Sequence, residues 1–441
     1  SHGMRTGPVC KNEHPRCVCV FLLMFGVRWI FYSCFGSLRE VCQSSRARER
    51  DFFIMMSVDE VWRILDGLTA SPAGEWVPVE QCHGRVLVDR ISALEDHPPF
   101  DRSSIDGFAV PAGSGEGFFR VCESPGEVVP GVALRIATGV EVPAGFGLVM
   151  VEDTRLDERG LEILKPASTH LIRRRGGSIR AGEAMLEAGS IVGPGEVALL
   201  AAEGIIGVFV FPSPRVLHVT TGSEIAPEKA SPEAGQIRNS NAPMLRALMD
   251  ESGATVLPGA HVDESVEGLI SAVGAAAEFD VLLVSGGSSV GERDNTRTAL
   301  ESMGFEILVH GVCLKPGKPV LIGLQGRKVA IGIPGNPVSH FVVFHLFIRR
   351  LLDAMAGKRP VELVEARLEA GAPLGFEKRE TFWPARCVLR SGCLVATPLA
   401  WVDSGDVAGL RGVNALLRLP AGEPPPVEGA RVRLAPCGKL W

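Results

Sequence analysis

No two cysteines in this 441-residue chain stand at CxxC spacing, and no other spacing suggests a structural zinc site. No G-x-x-x-x-G-K-[ST] or G-x-G-x-x-G run occurs, so the usual nucleotide-binding fingerprints are missing. No internal repeat is visible. A positive surplus is absent as well. Forty-five Lys and Arg face 51 Asp and Glu, a net charge of −6, which argues against non-specific nucleic-acid binding over the whole surface and leaves room only for local basic patches. Tyrosine occurs once, at Tyr32, inside an N-terminal segment unlike the rest.

What is present is globular: 46% hydrophobic and 22% charged residues. The length exceeds what one core supports, so two to four domains are expected. Gly 51 and Pro 31 imply many tight turns. Ser1-His2-Gly3 before Met4 looks like an expression scar. The apolar run Cys17 to Gly36 suggests a signal anchor or one membrane span, but Arg28 near its middle opposes that. Five of the 11 cysteines lie in residues 1–56. An ordinary amphipathic pattern begins at "MMSVDEVWRIL", so residues 1–56 read as the product of a start codon assigned too far upstream or as a dispensable leader. The other cysteines, Cys82, Cys122, Cys313, Cys387, Cys393 and Cys437, are scattered, as reduced thiols of a cytoplasmic protein would be.

Four regions follow. A helix behind Ser57, with Trp62, Leu65 and Leu68 at helical spacing, opens the first, residues 57–97, which resumes over 166–211. Residues 98–165 read as an inserted β domain. From 212 to 357, strands such as "RVLHVTTG", "TVLPGAHV", "DVLLVSGG" and "KVAIGIPG" alternate with helices, the last being "PVSHFVVFHLFIRRLLDAMAG". That alternation implies a mostly parallel sheet covered by helices. Short alternating runs return over 358–441, a second β domain of barrel type.

Three strands of the α/β region end in small-residue loops: "TTGSE", "SGGSS" and "PGNPVS". Ligands bind outside the carboxyl ends of such strands, and small residues let backbone N–H groups approach an oxyanion. Glu224 and Asp294, just beyond two of the loops, suit Mg²⁺ held against that anion. One loop alone is an ordinary turn; three on one edge favour a site. "LKPGKP" sets Lys315 and Lys318 on a rigid bend suited to a compact anion. "HPPFDRSSIDGFAV" places Asp101 and Asp106 around two serines, as a capped turn or a polar site.

Together these stretches resemble the molybdenum insertases, the family of bacterial MoeA and the E domain of gephyrin. "PPFDRSSIDGFAV", "RIATGVEVPAG", "TTGSEI", "SGGSSVGERD", "KPGKP" and "GIPGNPVS" are similar to the family's motifs, in the family's order, from about Ser57 to the C-terminus. The resemblance implies a multidomain α/β plus β subunit that forms a homodimer and inserts molybdate into adenylylated molybdopterin, releasing AMP with help from Mg²⁺ or another divalent cation. It also implies roles. Glu224 and Asp294 serve the metal and the adenylate phosphate, and Asp263 matches an acidic pterin-side position. Ser285, Gly286, Gly287 and Ser288 form the phosphate-cradling loop, and Pro334, Gly335, Asn336 and Pro337 form the second substrate turn. Asp101, Asp106 and Thr138 match catalytic positions contributed from the first half, across the dimer. Lys315, Lys318, Ser339, Arg386 and Ser404 resemble the molybdate pocket. A molybdopterin adenylyltransferase and molybdoenzyme acceptors are the implied protein partners. Gly176-Gly177-Ser178, Gly311 and Ala408-Gly409 depart from the family's pattern, so tungstate selectivity stays open. The alternatives are a molybdopterin adenylyltransferase, which does not need the inserted and C-terminal β domains, and a gephyrin-like scaffold.

Overall fold

The computed structural model describes residues 55–68, 74–124, 129–226, 230–286, 294–371, 377–438 and 440, with the backbone of two short antiparallel strands, Met24–Phe25 and Arg28–Trp29. The rest of the leader, Gly287 and Ser288 lie outside the described residues. Among the described residues, no helix is long and apolar enough to cross a membrane.

The α/β sheet is built on three parallel strands, Arg215–Thr221, Val281–Ser285 and Lys328–Ile333. They are almost wholly buried, as parallel strands covered on both faces must be. On one side, Thr255–Val256 and Ala260–Val262 both pair parallel with Arg215–Thr221. The predicted strand "TVLPGAHV" is therefore broken at Pro258-Gly259. On the other side, Leu321–Gln325 runs antiparallel to Lys328–Ile333, and Glu306–His310 runs antiparallel to Leu321–Gln325.

Side-chain alternation divides the core in two. Val216, Val281, Leu283, Ile331 and Ile333 point toward Leu245, Leu248, Val342 and Phe347 on helices of one face. Leu217, Val219, Leu282 and Val284 meet Leu269, Ala299 and Leu300 on the other. The chain Pro337–Met355 is helical throughout, with a π-helical stretch at Phe344–Ile348.

The helix Val58–Gly67 starts at a capping box. The Glu60 N–H donates to Ser57 Oγ at 3.3 Å, and the Ser57 N–H donates to Glu60 Oε2 at 2.7 Å. Its buried face, Val58, Val61 and Leu65, joins the core of the α/β domain and not that of the segment that follows it in sequence. Arg350 clamps its Asp66 at 2.6 and 2.8 Å.

The inserted domain is a six-stranded sheet in the order Thr154–Asp157, Gly160–Ile163, Gly117–Cys122, Val132–Ile136, Gly107–Pro111 and Phe146–Met150. The C-terminal domain is a closed five-stranded barrel. Glu380–Arg390 pairs with both Cys393–Pro398 and Ala415–Leu419, while Val364–Leu368 and Arg431–Pro436 complete the ring. Leu314–Lys315, from the α/β domain, adds to the barrel strand at Glu380 and Thr381.

Candidate active site

Sheet register brings five segments to one edge. Thr220 lies beside Ser285, and Ser285 beside Ile333, so the three predicted loops leave from adjacent strand ends. Thr221 pairs with Val262, which puts Asp263 beside Gly222. The antiparallel strands supply the fifth segment. His310 pairs with Leu321 and Leu321 with Gly332, so the turn holding Lys315 and Lys318 emerges at the same edge.

The Gly286 backbone is tied on each side. Its N–H donates to Ile333 O at 3.0 Å, and its O accepts Thr296 Oγ1–H at 3.2 Å. Thr221 Oγ1–H donates to Ser285 O at 3.3 Å. Gly286 has φ +95°, and a Cβ there would sit 2.6 Å from Thr221 O. Only glycine satisfies both constraints. Across the edge, Asn241 Nδ2–H donates to Gly335 O at 2.7 Å. Asn336 then occupies the N-cap position of the helix that begins at Pro337, without a side-chain capping bond.

Ser285 differs from its expected place in the cradle. Alternation sends residues 281, 283 and 285 to the same sheet face, so its side chain is buried under the Pro337 helix. Its Oγ lies 2.7 Å from His218 Nε2 and 2.8 Å from His340 Nε2. Burial lowers the pKa of these imidazoles to about 3 and about 4. Ser339 is likewise buried, in the first turn of the Pro337 helix, only 3% exposed. In this arrangement neither hydroxyl lies open to a bound oxyanion.

Asp294 caps the helix Asn295–Ser302. Its Oδ1 accepts the Arg297 N–H at 3.0 Å, and Oδ2 faces His310 Nε2 at 3.1 Å. Glu224 is exposed and folds back over its turn, its carboxylate within 2.7 Å of where a Gly222 Cβ would stand. Asp263 is exposed. No group of three metal-binding side chains occurs among the described residues. Mg²⁺ commonly takes one or two carboxylates and completes its shell with water and substrate phosphates, and Glu224 and Asp294 are each oxygen donors of the kind that ion takes.

The barrel reaches this edge at two points. Lys315 Nζ donates to Glu377 Oε1 at 2.5 Å. Asn336 Nδ2–H donates to Ser404 Oγ at 2.9 Å, and the Val338 N–H to Ser404 O at 3.0 Å. Lys318 is half-buried. Arg386 is exposed on Glu380–Arg390. The first-half residues are partnered near the inserted domain. Asp106 Oδ1 accepts the Thr138 N–H at 2.7 Å and its hydroxyl at 3.1 Å. Asp101 binds Arg174 at 2.5 Å and the Arg175 N–H at 2.8 Å, which holds its pKa below the usual carboxylate range.

Sequence reasoning missed His218, His340, His310, Thr296 and Asn241. The one available signal was a histidine inside an apolar strand, "RVLHVTTG", and another inside an apolar helix. A cavity of about 380 Å³ also opens at this edge, lined in part by His218, Thr220, Asn239, Arg246 and His261.

Two family models match the chain: MoeA N-terminal region (domain I and II) over residues 56–204, and probable molybdopterin binding domain over residues 218–354. A molybdopterin molybdenumtransferase of Bacillus subtilis is 32% identical over 389 residues, covering 83% of this chain and 90% of its own. One from Staphylococcus aureus is 30% identical over 384 residues, covering 82% and 91%. A solved molybdopterin biosynthesis moeA protein from Pyrococcus horikoshii matches at TM-score 0.69 and 27% identity, covering 86% of this chain and 99% of its own. On domain order, strand-end loops and these likenesses, the chain belongs to the molybdopterin molybdenumtransferase family.

Proposed function

We propose that this protein is a transferase of molybdenum cofactor biosynthesis that inserts molybdate into adenylylated molybdopterin and releases AMP. The observation that carries the reading is the meeting of five polar segments at one sheet edge, with the barrel's Ser404 joined to the PGNP turn there. The small residues of the SGGSS and PGNP motifs suit close approach of the phosphate of the pterin nucleotide, although the Gly286 and Val338 N–H groups are given to Ile333 O and Ser404 O. Asp263 stands on the pterin side. Lys315 and Lys318 suit the molybdate dianion, with Ser404 and Arg386 from the barrel; charge-assisted donors hold a small oxyanion well. Lys315 exchanges its bond to Glu377 for the oxyanion. Glu224 and Asp294 would hold Mg²⁺, which when bound polarises the phosphoryl group. An oxygen of molybdate or water attacks the adenylate phosphorus, the phosphoanhydride bond breaks with its electron pair leaving on the pterin phosphate, and AMP carries the new oxygen away. No covalent intermediate on the protein is needed.

The subunit acts as a homodimer in this reading, with Asp101, Asp106 and Thr138 contributed from the first half. The six described cysteines are free thiols, which supports a reducing, cytoplasmic setting. The inserted domain and barrel favour insertion over adenylylation. The test combines purified protein, adenylylated molybdopterin, molybdate and Mg²⁺. Molybdate-dependent AMP release supports the reading; AMP formation that needs no molybdate, or none at all, overturns it.

A further inference from the structure

We propose that His218 and His340 are positioning residues for the transfer reaction, acting through the Ser285 hydroxyl to hold the three strand-end loops in one register; this rests on the function proposed above. Each member comes from a different element. His218 is on the strand that leads to TTGSE. Ser285 ends the strand that leads to SGG. His340 sits one turn inside the helix that follows PGNP. All three are buried, with exposures of 7%, 4% and 0%.

The proton arrangement follows from the partners. His340 Nδ1 lies 3.1 Å from Asn336 O, which can only accept, so Nδ1 carries the proton. His340 Nε2 therefore accepts the Ser285 hydroxyl, and Ser285 Oγ accepts His218 Nε2–H. The chain runs in one direction, with every donor matched, and ends on the carbonyl of the PGNP turn. The Ser285 backbone is held as well, by Thr221 on the neighbouring strand. Gly286, the first residue of the cradle, inherits its orientation from this anchored residue. His340 is fully buried, and His218, which borders the cavity at this edge, gives its Nε2–H to Ser285. Their role is to fix the strand ends from which the loops depart.

The experiment compares His340→Phe with His340→Gln, and uses Ser285→Ala as the smallest break in the chain. Gln keeps an oxygen to accept the Ser285 hydroxyl and an N–H to donate, while Phe fills the space without either. For each variant the affinity for adenylylated molybdopterin is titrated, and KM and kcat of AMP release are measured. The expected result for His340→Phe and Ser285→Ala is about tenfold weaker pterin nucleotide binding, carried in KM, with kcat and the KM for molybdate within about threefold. His340→Gln should restore binding to within about threefold of the parent. Equal binding by all three variants overturns the proposal, as does a Phe variant no better or worse than Gln. If His340→Phe does not fold, Ser285→Ala carries the same expectation. If the parent binds the nucleotide but releases no AMP, the proposed function fails while the titrations still decide the network.

Discussion

Replacing Asp294 with Asn separates two duties of one side chain. The first is mechanical: Oδ1 caps the helix Asn295–Ser302 through the Arg297 N–H at 3.0 Å. Asn caps a helix about as well as Asp, so this bond survives, and stability should change by less than about 0.5 kcal/mol. Ala has no acceptor and should lose about 1 kcal/mol, lowering Tm by roughly 2–4 °C. The second duty is electrostatic. Oδ2 faces His310 at the sheet edge, and the side chain is only 11% exposed. Both substitutions remove the charge. A hydrogen bond or contact involving one charge is worth about 1.5–3 kcal/mol. Each variant should therefore lose roughly tenfold to 150-fold in AMP release at limiting Mg²⁺. Thermal melts and Mg²⁺ titrations of turnover on both variants make the measurement. If Asp294→Asn keeps full turnover at limiting Mg²⁺, or if the activity loss simply follows the fall in Tm, Asp294 does not serve the metal.

His218, His340 and His345 are buried neutral, their pKa lowered by burial to about 3, about 4 and about 3. The unfolded chain takes up these protons near pH 6.5 and the folded chain only near 4 or below. Stability should therefore fall as pH drops through that window, by up to about 1.4 kcal/mol per pH unit per histidine; urea melts between pH 7.5 and 4.5 measure the slope. His345 Nε2 has no hydrogen-bond partner among the described residues, so His345→Phe should stabilise the protein by about 1–2 kcal/mol at pH 7 and reduce that slope; a lower Tm would contradict this. Gly286→Ala, with φ +95° and Thr221 O at 2.6 Å, should cost about 1–3 kcal/mol and weaken pterin nucleotide binding; unchanged melting would show that the turn adapts. Lys318→Ala and Arg386→Ala should each weaken molybdate use about tenfold to a hundredfold while sparing pterin nucleotide binding. An Arg386→Ala variant with an unchanged molybdate titration would exclude the barrel strand from the pocket.

Much of the α/β domain was legible because its signals are local. Apolar runs ending in small-residue loops, alternating with amphipathic stretches, imply parallel strands and helices, and strands in such a sheet end at one edge. The Ser57 capping box and the strands of the inserted domain were readable for the same reason. Other features depend on residues far apart in the chain. The helix at Val58 joins the α/β core because its apolar face fits Phe347 and Leu351, a choice that helical periodicity does not contain. The lysine turn reaches the site edge through antiparallel pairing of Glu306–His310 and Leu321–Gln325. Ser404 meets Asn336 because barrel closure folds its loop back onto the Pro337 helix.

The sequence by itself determined the family of folds, the three loop ends and the residue types offered there. A motif names residues but not the directions of their side chains. Tertiary structure decided those directions. It turned Ser285 inward between two histidines, made Asp294 a cap as well as an acid, and tied Lys315 to Glu377. The physical reason is that a strand's pleat and its register against neighbours set which face each side chain takes, and a buried polar group must then find partners from whichever elements pack against that face.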